Sequence, residues 1–175
     1  NVRFLTTADT IDKDTNAPTG ANISFAAAPV TPIATNLADV ETVISPITDI
    51  VANLIDTGLT EAEAEQETLE ALGLDVATVG GTVEIDLKTF NPFEENIVAS
   101  SSLAEATVAK VASVGAQIFS MVHTASEAAS AAGLDKGEAV AAAINSLSEQ
   151  IADNVNTDSS AAVVTIDLTD TTVIE

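Results

Sequence analysis

The stretch Ser102–Val155, SLAEATVAKVASVGAQIFSMVHTASEAASAAGLDKGEAVAAAINSLSEQIADNV, decides the fold. In both of its parts, Ser102–Ala132 and Asp135–Val155, small and apolar residues recur at steps of three and four, which places them on one helix face. Gly133 separates the two parts, so we predict two helices folded back on each other as a hairpin. The predicted seams comprise Ala104, Thr107, Val111, Val114, Ile118, Met121, Ala125, Ala128 and Ala132 in the first helix and Val140, Ile144, Leu147, Ile151 and Val155 in the second.

The composition predicts a core of small aliphatic side chains. The chain has 175 residues, enough for one domain, and 46% of them are hydrophobic while only 3% are aromatic. Buried apolar surface contributes about 25 cal/mol per Å², so an Ala-rich core stabilises less per residue than a core of Leu and Phe. We therefore expect modest stability unless a metal, a neighbouring module or a polymer adds to it.

The charge balance restricts the partners of the chain. With 27 acidic and five basic residues, its formal net charge is −22. Nucleic acids and anionic membranes are poor candidates, because binding to phosphate groups is driven by Lys and Arg. The negative charge also repels itself unless salt or divalent cations screen it, so we expect a salty or calcium-rich extracellular setting.

Cysteine usage and hydropathy bear on localisation. Without Cys the chain has neither disulfides nor thiolate metal sites, which is compatible with a secreted bacterial protein. No run of about 18 apolar residues is present, so no transmembrane segment is predicted. The chain begins without Met and without the regions of a signal peptide, so a mature secreted chain and a module of a longer protein both remain open.

The remaining pattern predicts an α+β fold, predominantly α, in a single domain, 1–175. We expect an arm of strand and loop at 1–35 and C-terminal strands at 158–175. Between them, at 36–157, we expect a bundle of about five helices with one inserted strand. The strands are expected to form one small sheet, and they are Val2–Thr6, Ile23–Ala27, Thr82–Leu87, Ala161–Leu168 and Thr171–Ile174.

Helix-capping and helix-breaking residues predict the first helix of the segment 36–157. The apolar spacing over Asn36–Ile55 indicates a helix with Asn36 as its N-cap. This helix either kinks at Pro46 or starts afresh there with Ser45 as its N-cap. Gly58 is expected to end it.

A short acidic helix follows. Thr60–Glu63 is a capping box that opens a helix running to about Leu72, where Gly73 stops it. Its acidic residues wrap around the helix instead of converging, so we predict a solvated face and no metal site for Glu61, Glu63, Glu65, Glu67 and Glu70.

Further helix starts are predicted downstream. Asn91 with Pro92, the capping box Ser102–Glu105, and Asp135 each precede a helical pattern. Three aromatic side chains are expected to be core wedges, because no set of polar partners for a stacked ligand accompanies them: Phe90, Phe93 and Phe119.

An acidic loop near the N-terminus is the candidate metal site. Its oxygen side chains alternate in the spacing with which an EF-hand loop begins. The match ends there, because the Gly and Glu of an EF-hand are replaced by Ala17 and Ile23. Two interpretations stay open, a solvated polar turn and an irregular calcium loop formed by Asp12, Asp14, Asn16 and Asp9.

The only histidine is predicted to be a surface residue. His123 falls off the helical seam, two residues past Met121. Ser126 and Glu127 are its neighbours on the helix, but an exposed helix offers no oxyanion hole, and zinc would need further His or Cys ligands. We therefore predict no catalytic residues, and the chain also lacks a glycine-rich phosphate loop.

Several N-terminal segments together are similar to a known kind of module. They are Phe4–Asp9, Asp12–Gly20, Ile44–Thr48, Gly58–Ala64, Leu72–Leu74 and Phe90–Phe93. Over the N-terminal half of the chain they loosely resemble an acidic α-helical module of large secreted bacterial surface proteins, of adhesin and surface-lipoprotein type. The resemblance implies an exported, multi-domain and calcium-dependent protein and carries over no active site. Asn16 and Ala17 depart from the more regular Asp-x-Asp-x-Asp form of the loop.

The predicted function is structural. We expect a non-enzymatic unit of a bacterial cell-surface adhesin or extracellular fibre, with calcium as its only cofactor and copies of itself or neighbouring modules as partners. Terminal strands either close their own sheet or pair with a neighbouring copy. The alternative is a binding module whose helices enclose an apolar pocket for a lipid or small hydrophobe. The Ala-rich seam argues against this alternative, because small side chains bring helices together.

Overall fold

The structure is a computed structural model that describes residues 3–11, 18, 23–29, 42–74, 85–93, 105–156, 166 and 168. In these ranges the chain forms four α-helices, Pro46–Asp56 (α1), Glu61–Ala71 (α2), Glu105–Ala131 (α3) and Lys136–Asn156 (α4). The helix α3 packs along α4, and α1 contacts each of the other three helices. The predominantly helical class is thus confirmed. No helix in the described ranges is long and apolar enough to cross a bilayer.

The core is aliphatic, as the composition predicts. Every one of the four helices contributes to one continuous cluster of buried side chains. Its largest fully buried members are Ile50, Leu54, Leu74, Ile118, Ile144, Leu147 and Ile151.

The predicted hairpin is confirmed, with a shift in the seam of α3. Val111 and Ile118 are buried as predicted, but Val122 is buried where Met121 was expected. A strict heptad repeat drifts by about 20° per heptad around a straight helix, so its later positions rotate away from the buried face. Accordingly Ser126 is also buried, and the prediction is wrong for the exposed residues Ala128 and Ala132.

The helix α4 follows its prediction more closely. Val140, Ile144, Leu147 and Ile151 are all buried, while the side chain of Val155 lies outside the described residues. The Asp135 carboxylate accepts a hydrogen bond from the Glu138 N–H at 3.0 Å, which confirms the predicted cap.

The two interpretations of Pro46 are resolved in favour of a fresh start. Residues 42–45 are not helical, and Pro46 is the first residue of α1. The Ser45 hydroxyl accepts from the Thr48 N–H at 3.1 Å, and the Thr48 hydroxyl accepts from the Ser45 N–H at 2.9 Å. A continuous helix over Asn36–Ile55 is therefore wrong, because Ser45 and Thr48 form a capping box at this point.

The predicted helix ends at Gly58, Gly73 and Gly133 are confirmed, and all three glycines have a positive φ. At Gly73, for example, φ is 63°, and the N–H groups of Gly73 and Leu74 return to the carbonyls of Glu70 and Leu69. This Schellman pattern requires a residue in the left-handed backbone conformation, and Gly adopts that conformation without steric cost.

The two predicted N-terminal strands pair with each other only briefly. Leu5 and Ala26 form an isolated antiparallel bridge, in which the Thr6 N–H donates to the Phe25 carbonyl at 2.9 Å. A second isolated bridge joins Ile11 to Pro18. No longer strand occurs in the ranges that the structure describes, so the predicted small sheet is not seen there.

The segment 85–93 is a turn where the sequence predicted the end of a strand. Ile85 and Leu87 are buried and Asp86 is exposed, as the alternation predicted. The backbone nevertheless turns, because the Asp86 carboxylate accepts from the Lys88 N–H at 3.0 Å and the Asp86 carbonyl accepts from the Phe90 N–H at 2.8 Å. The prediction for Thr82–Leu87 is therefore wrong over its described part.

The three phenylalanines differ in burial. Phe90 is buried and Phe119 packs partly buried against the core, as predicted. Phe93 is 47% exposed, so its assignment as a core wedge is wrong. The Asn91 side chain accepts from the Phe93 N–H at 3.1 Å and thereby stabilises the turn that leaves Phe93 partly exposed.

Other predictions lie outside the described residues. They concern Asn36, Thr82–Glu84, the helix after Phe93, the cap residue Ser102 and the strand Thr171–Ile174. Of the strand Ala161–Leu168, only Ile166 and Leu168 are described, and both pack against the core. The Ile166 N–H donates to the Ala71 carbonyl at 2.8 Å.

Candidate functional site

The predicted metal site lies almost entirely outside the described residues. Of its four residues only Asp9 is described, and it is an exposed residue of a turn, whereas Asp12, Asp14 and Asn16 are not described. The bridge between Ile11 and Pro18 brings together the two residues that flank this loop. Within the described part of the chain, no three acidic or His side chains are grouped in a way that would hold a metal ion.

His123 is exposed, as predicted. Its Nε2 atom lies 4.0 Å from a Glu127 carboxylate oxygen, and its ring stacks on Phe119 with centroids 6.0 Å apart. The buried Ser126 hydroxyl donates to the His123 carbonyl at 2.8 Å, so it is engaged with the backbone and not with the imidazole.

Cations join separate elements of the fold. The Arg3 guanidinium binds both carboxylate oxygens of Asp56, at 2.8 and 2.9 Å, and donates to the Ala52 carbonyl near the end of α1. Lys110 on α3 donates to the Gly73 carbonyl at the end of α2. Both cations thereby lie at the negative end of a helix dipole.

Two further cations act in the same way. The Lys88 ammonium pairs with Glu61 at 2.6 Å, which joins the 85–93 turn to α2, and Lys136 pairs with Glu127 across the hairpin. The fifth cation of the chain, Lys13, lies outside the described residues. Each described cation is therefore paired inside the fold.

Two residues of the acidic helix have a structural role that the sequence analysis missed. A Glu65 carboxylate oxygen accepts from the Leu87 N–H at 2.5 Å, and Glu61 pairs with Lys88. Burial raises the pKa of Glu65 above its usual range, and burial likewise raises the pKa of Glu67. The prediction of a wholly solvated face is thus wrong for Glu61 and Glu65, which hold the turn.

The described residues enclose a cavity of about 350 Å³. It lies between the N-terminal strand pair, the chain leading into α1, the 85–93 turn and α3. Its volume falls at the lower end of the range of about 300–1,000 Å³ that is typical of small-molecule sites. The lining is mostly apolar and includes Ile11, Phe25, Val43, Ile44, Pro46, Ile47, Leu87, Phe90, Pro92, Phe93, Val111 and Phe119.

The polar groups of the cavity wall are largely satisfied by their own turns. The Thr6 hydroxyl accepts from the Phe25 N–H and the Thr10 hydroxyl from the Thr7 N–H, both at 2.8 Å. Ser45 and Asn91 are engaged in the cap and the turn described above. The Thr42 hydroxyl is buried and has no hydrogen-bond partner among the described residues.

The N-terminal strand pair has one edge that α1 covers and one edge, called the open edge below, that no described residue covers. The Ala26 carbonyl accepts from the Thr48 hydroxyl at 3.1 Å, and the Ala26 backbone also hydrogen-bonds to the Asp49 carboxylate. The first turn of α1 thus covers the Ala26 edge. On the other strand, the backbone groups of Leu5 point away from Ala26 and have no partner among the described residues, and the side chain is 60% exposed.

Asp49 lies under the covered edge. Burial raises its pKa to about 6, although the hydrogen bond with Ala26 and the charge of Arg3 both favour the ionised form. At neutral pH the fold therefore holds a largely desolvated carboxylate between α1 and the N-terminal strand pair.

Comparison with known proteins found no match: no protein-family model matches the chain, and neither a curated protein nor a solved structure matches it.

Proposed function

We propose that this chain is a structural, non-enzymatic module of an extracellular bacterial surface assembly, an adhesin or a fibre. In this proposal it associates with copies of itself or neighbouring modules through terminal β-strands. Its terminal segments complete a small sheet beside a bundle of about five helices. Calcium bound by the loop with Asp9, Asp12, Asp14 and Asn16 adds to its stability.

The open edge at Leu5 is the observation that carries this proposal. An unpaired strand edge presents N–H and C=O groups that an extended segment of another chain can pair with, and such main-chain bonds give affinity without a deep pocket. The Ala26 edge is closed by Thr48 and Asp49, so within the described part of this strand pair a further strand can add at the Leu5 edge. The exposed Leu5 side chain supplies apolar contact at that place.

The tail offers a less direct route to association. In this structure Ile166 and Leu168 pack against the core of their own chain, and the Ile166 N–H is bonded to Ala71. Donating that segment to a neighbour would first break these contacts. The proposal therefore places the interface between copies at the N-terminal edge.

The charge of the chain sets the conditions for association. Two copies that each carry a net charge of −22 repel one another at low ionic strength. Salt reduces the screening length to about 8 Å at physiological ionic strength, and added divalent cations shorten it further. Association should therefore strengthen with salt, which is the opposite of the behaviour of a complex held by ion pairs.

Replacing Leu5 by proline tests the proposal. Proline removes the outward N–H and is a natural blocker of strand edges, while the inward hydrogen bonds of Phe4 and Thr6 stay possible. We expect the wild type and the control Leu5→Val to self-associate in sedimentation velocity at raised salt, and Leu5→Pro to stay monomeric with an unchanged helical circular dichroism spectrum. Equal association of all three, or of none, would contradict the proposal.

A second candidate function is the binding of a small hydrophobic ligand, and the cavity beside α3 favours it. Small residues of α3 line part of the cavity, so they leave space here instead of bringing two helices together. Native mass spectrometry of protein purified without detergent tests this candidate, because a retained molecule would add a discrete mass.

A further inference from the structure

We infer that the cavity takes an uncharged apolar molecule and rejects lipids that carry a carboxylate or phosphate. This inference rests on the second candidate function and specifies its ligand class. Among the described residues, the cavity wall contains apolar side chains, hydroxyl groups and one carboxamide, and no Asp, Glu, Lys, Arg or His.

An anionic head group would find no counter-charge among the described residues of this wall. Transferring an ionised carboxylate out of water costs several kcal/mol unless a cation or several donors compensate. The described cations are already paired elsewhere, for example Arg3 with Asp56 and Lys88 with Glu61. The net charge of −22 adds a long-range repulsion against any anion.

The described wall also offers few free hydrogen-bond acceptors. Thr6, Thr10, Ser45 and Asn91 use their side-chain oxygens to accept from backbone N–H groups. A ligand with several N–H or O–H donors would lose its hydration without gaining equivalent bonds. An apolar ligand has no hydrogen bonds with water to lose, and its burial against the aliphatic and aromatic lining favours binding.

Gly115 provides the means to close the cavity without damaging the fold. It lies within α3 and lines the cavity together with Ala112 and Ala116. Among the described residues, a Cβ atom at position 115 would meet only the Ile47 Cδ1 atom within 4 Å, at an ordinary contact distance of 3.8 Å. A leucine at this position therefore has room to grow into the cavity, and both Ala and Leu favour a helix more than Gly does.

The test compares two fluorescent probes on three forms of the chain. N-phenyl-1-naphthylamine is uncharged at neutral pH, whereas cis-parinaric acid is an apolar chain with a carboxylate. We expect the wild type and Gly115→Ala to bind the neutral probe, and to bind the anionic one at least about tenfold more weakly. We expect Gly115→Leu to bind neither probe and to melt no lower than the wild type.

Each other outcome overturns a defined part of the inference. Equal binding of both probes, lost in Gly115→Leu, would refute the selection by charge and leave the second candidate function standing. Binding of neither probe to the wild type would refute both. Unchanged binding of the neutral probe to Gly115→Leu would place its site away from this cavity and overturn the assignment.

Discussion

The Thr48 hydroxyl donates to the Ala26 carbonyl oxygen at 3.1 Å and shares its one proton with the Ser45 carbonyl oxygen at 3.0 Å. The same hydroxyl oxygen accepts from the Ser45 N–H at 2.9 Å and so completes the capping box of α1. One buried side chain therefore starts the first helix and also covers one edge of the N-terminal strand pair. The opposite edge, at Leu5, has no such cover among the described residues.

Replacing Thr48 by valine should be strongly destabilising. The substitution keeps the shape of the side chain but removes the Thr48 half of the capping box and leaves the buried Ala26 carbonyl without its donor, which together cost about 2–3 kcal/mol of unfolding free energy. Urea unfolding followed by circular dichroism measures the loss. Thr68→Val is the matched control, because the buried Thr68 hydroxyl donates only to the Ala64 carbonyl of its own helix. Equal losses in both variants would contradict the double role of Thr48.

Replacing Thr107 by valine should stabilise the protein. Thr107 is 1% exposed, and its hydroxyl has no hydrogen-bond partner among the described residues. A methyl group of similar size removes the unpaired polar atom, so the unfolding free energy should rise by about 1 kcal/mol. A lower stability of Thr107→Val in the same urea titration would show that the hydroxyl is paired.

Because of Asp49, the protein should be more stable in mild acid than at neutral pH. Because burial raises the pKa of Asp49 from 3.8 to about 6, the folded state binds a proton more tightly than the unfolded state does. The resulting stability is present in full below pH 3.8 and is lost as the pH rises through about 6. The hydrogen bond with Arg3 lowers the pKa of Asp56, so the contribution of Asp56 to stability is lost as the pH falls, opposite to that of Asp49. Because Asp56 is exposed, solvent screening makes this contribution small.

Asp49→Asn isolates this effect. We expect it to raise the unfolding free energy at neutral pH by about 1–2 kcal/mol, and to make little difference near pH 4, where Asp49 itself is protonated in the folded state. Urea titrations at several pH values would measure this. Asp9→Asn removes the same formal charge from an exposed turn and controls for net charge. A gain in Asp49→Asn that is the same at every pH would contradict the account.

Lys110→Met should cost more stability than Lys136→Met. The Lys110 ammonium holds the end of α2 through the Gly73 carbonyl, and its loss should lower the unfolding free energy by about 1 kcal/mol. Lys136 pairs with the exposed Glu127, and such surface pairs contribute about 0.5 kcal/mol or less. Thermal melting at constant ionic strength compares the two variants, and the reverse order would refute the role assigned to Lys110.

Chelation of calcium should lower the melting temperature of the wild type. The double variant Asp12→Ala with Asp14→Ala removes two of the expected ligands and should melt alike with and without chelator. Magnesium added back in place of calcium serves as the control for charge screening. Identical melting of the wild type in calcium and in chelator would remove calcium from the proposed function.

Local signals in the sequence predicted the helices well. The boxes at Ser45 and Thr60 and the stops at Gly58, Gly73 and Gly133 depend on neighbours a few residues away, so the chain itself specifies them. The seam of α3 was predicted less well, because the strict heptad pattern ignored the drift that brings Val122 into the core.

The sequence did not predict the contacts between distant parts of the chain. Nothing near Glu65 in the sequence indicates that its carboxylate meets the Leu87 N–H, and nothing near Ala26 indicates Thr48 as its donor. The cavity is formed by four segments that are separate in the sequence, so no local sequence pattern predicts it. Likewise, the sequence does not show which of the two N-terminal strands α1 covers, so it did not predict the open edge at Leu5.

Electron microscopy of the wild type and of Leu5→Pro at raised salt tests the central claim most directly. The account predicts ordered multi-copy assemblies of the wild type and dispersed single particles of Leu5→Pro, since only the wild type keeps the outward N–H at the open edge. Dispersed single particles of the wild type at every salt and protein concentration, or identical assemblies of the two proteins, would contradict it.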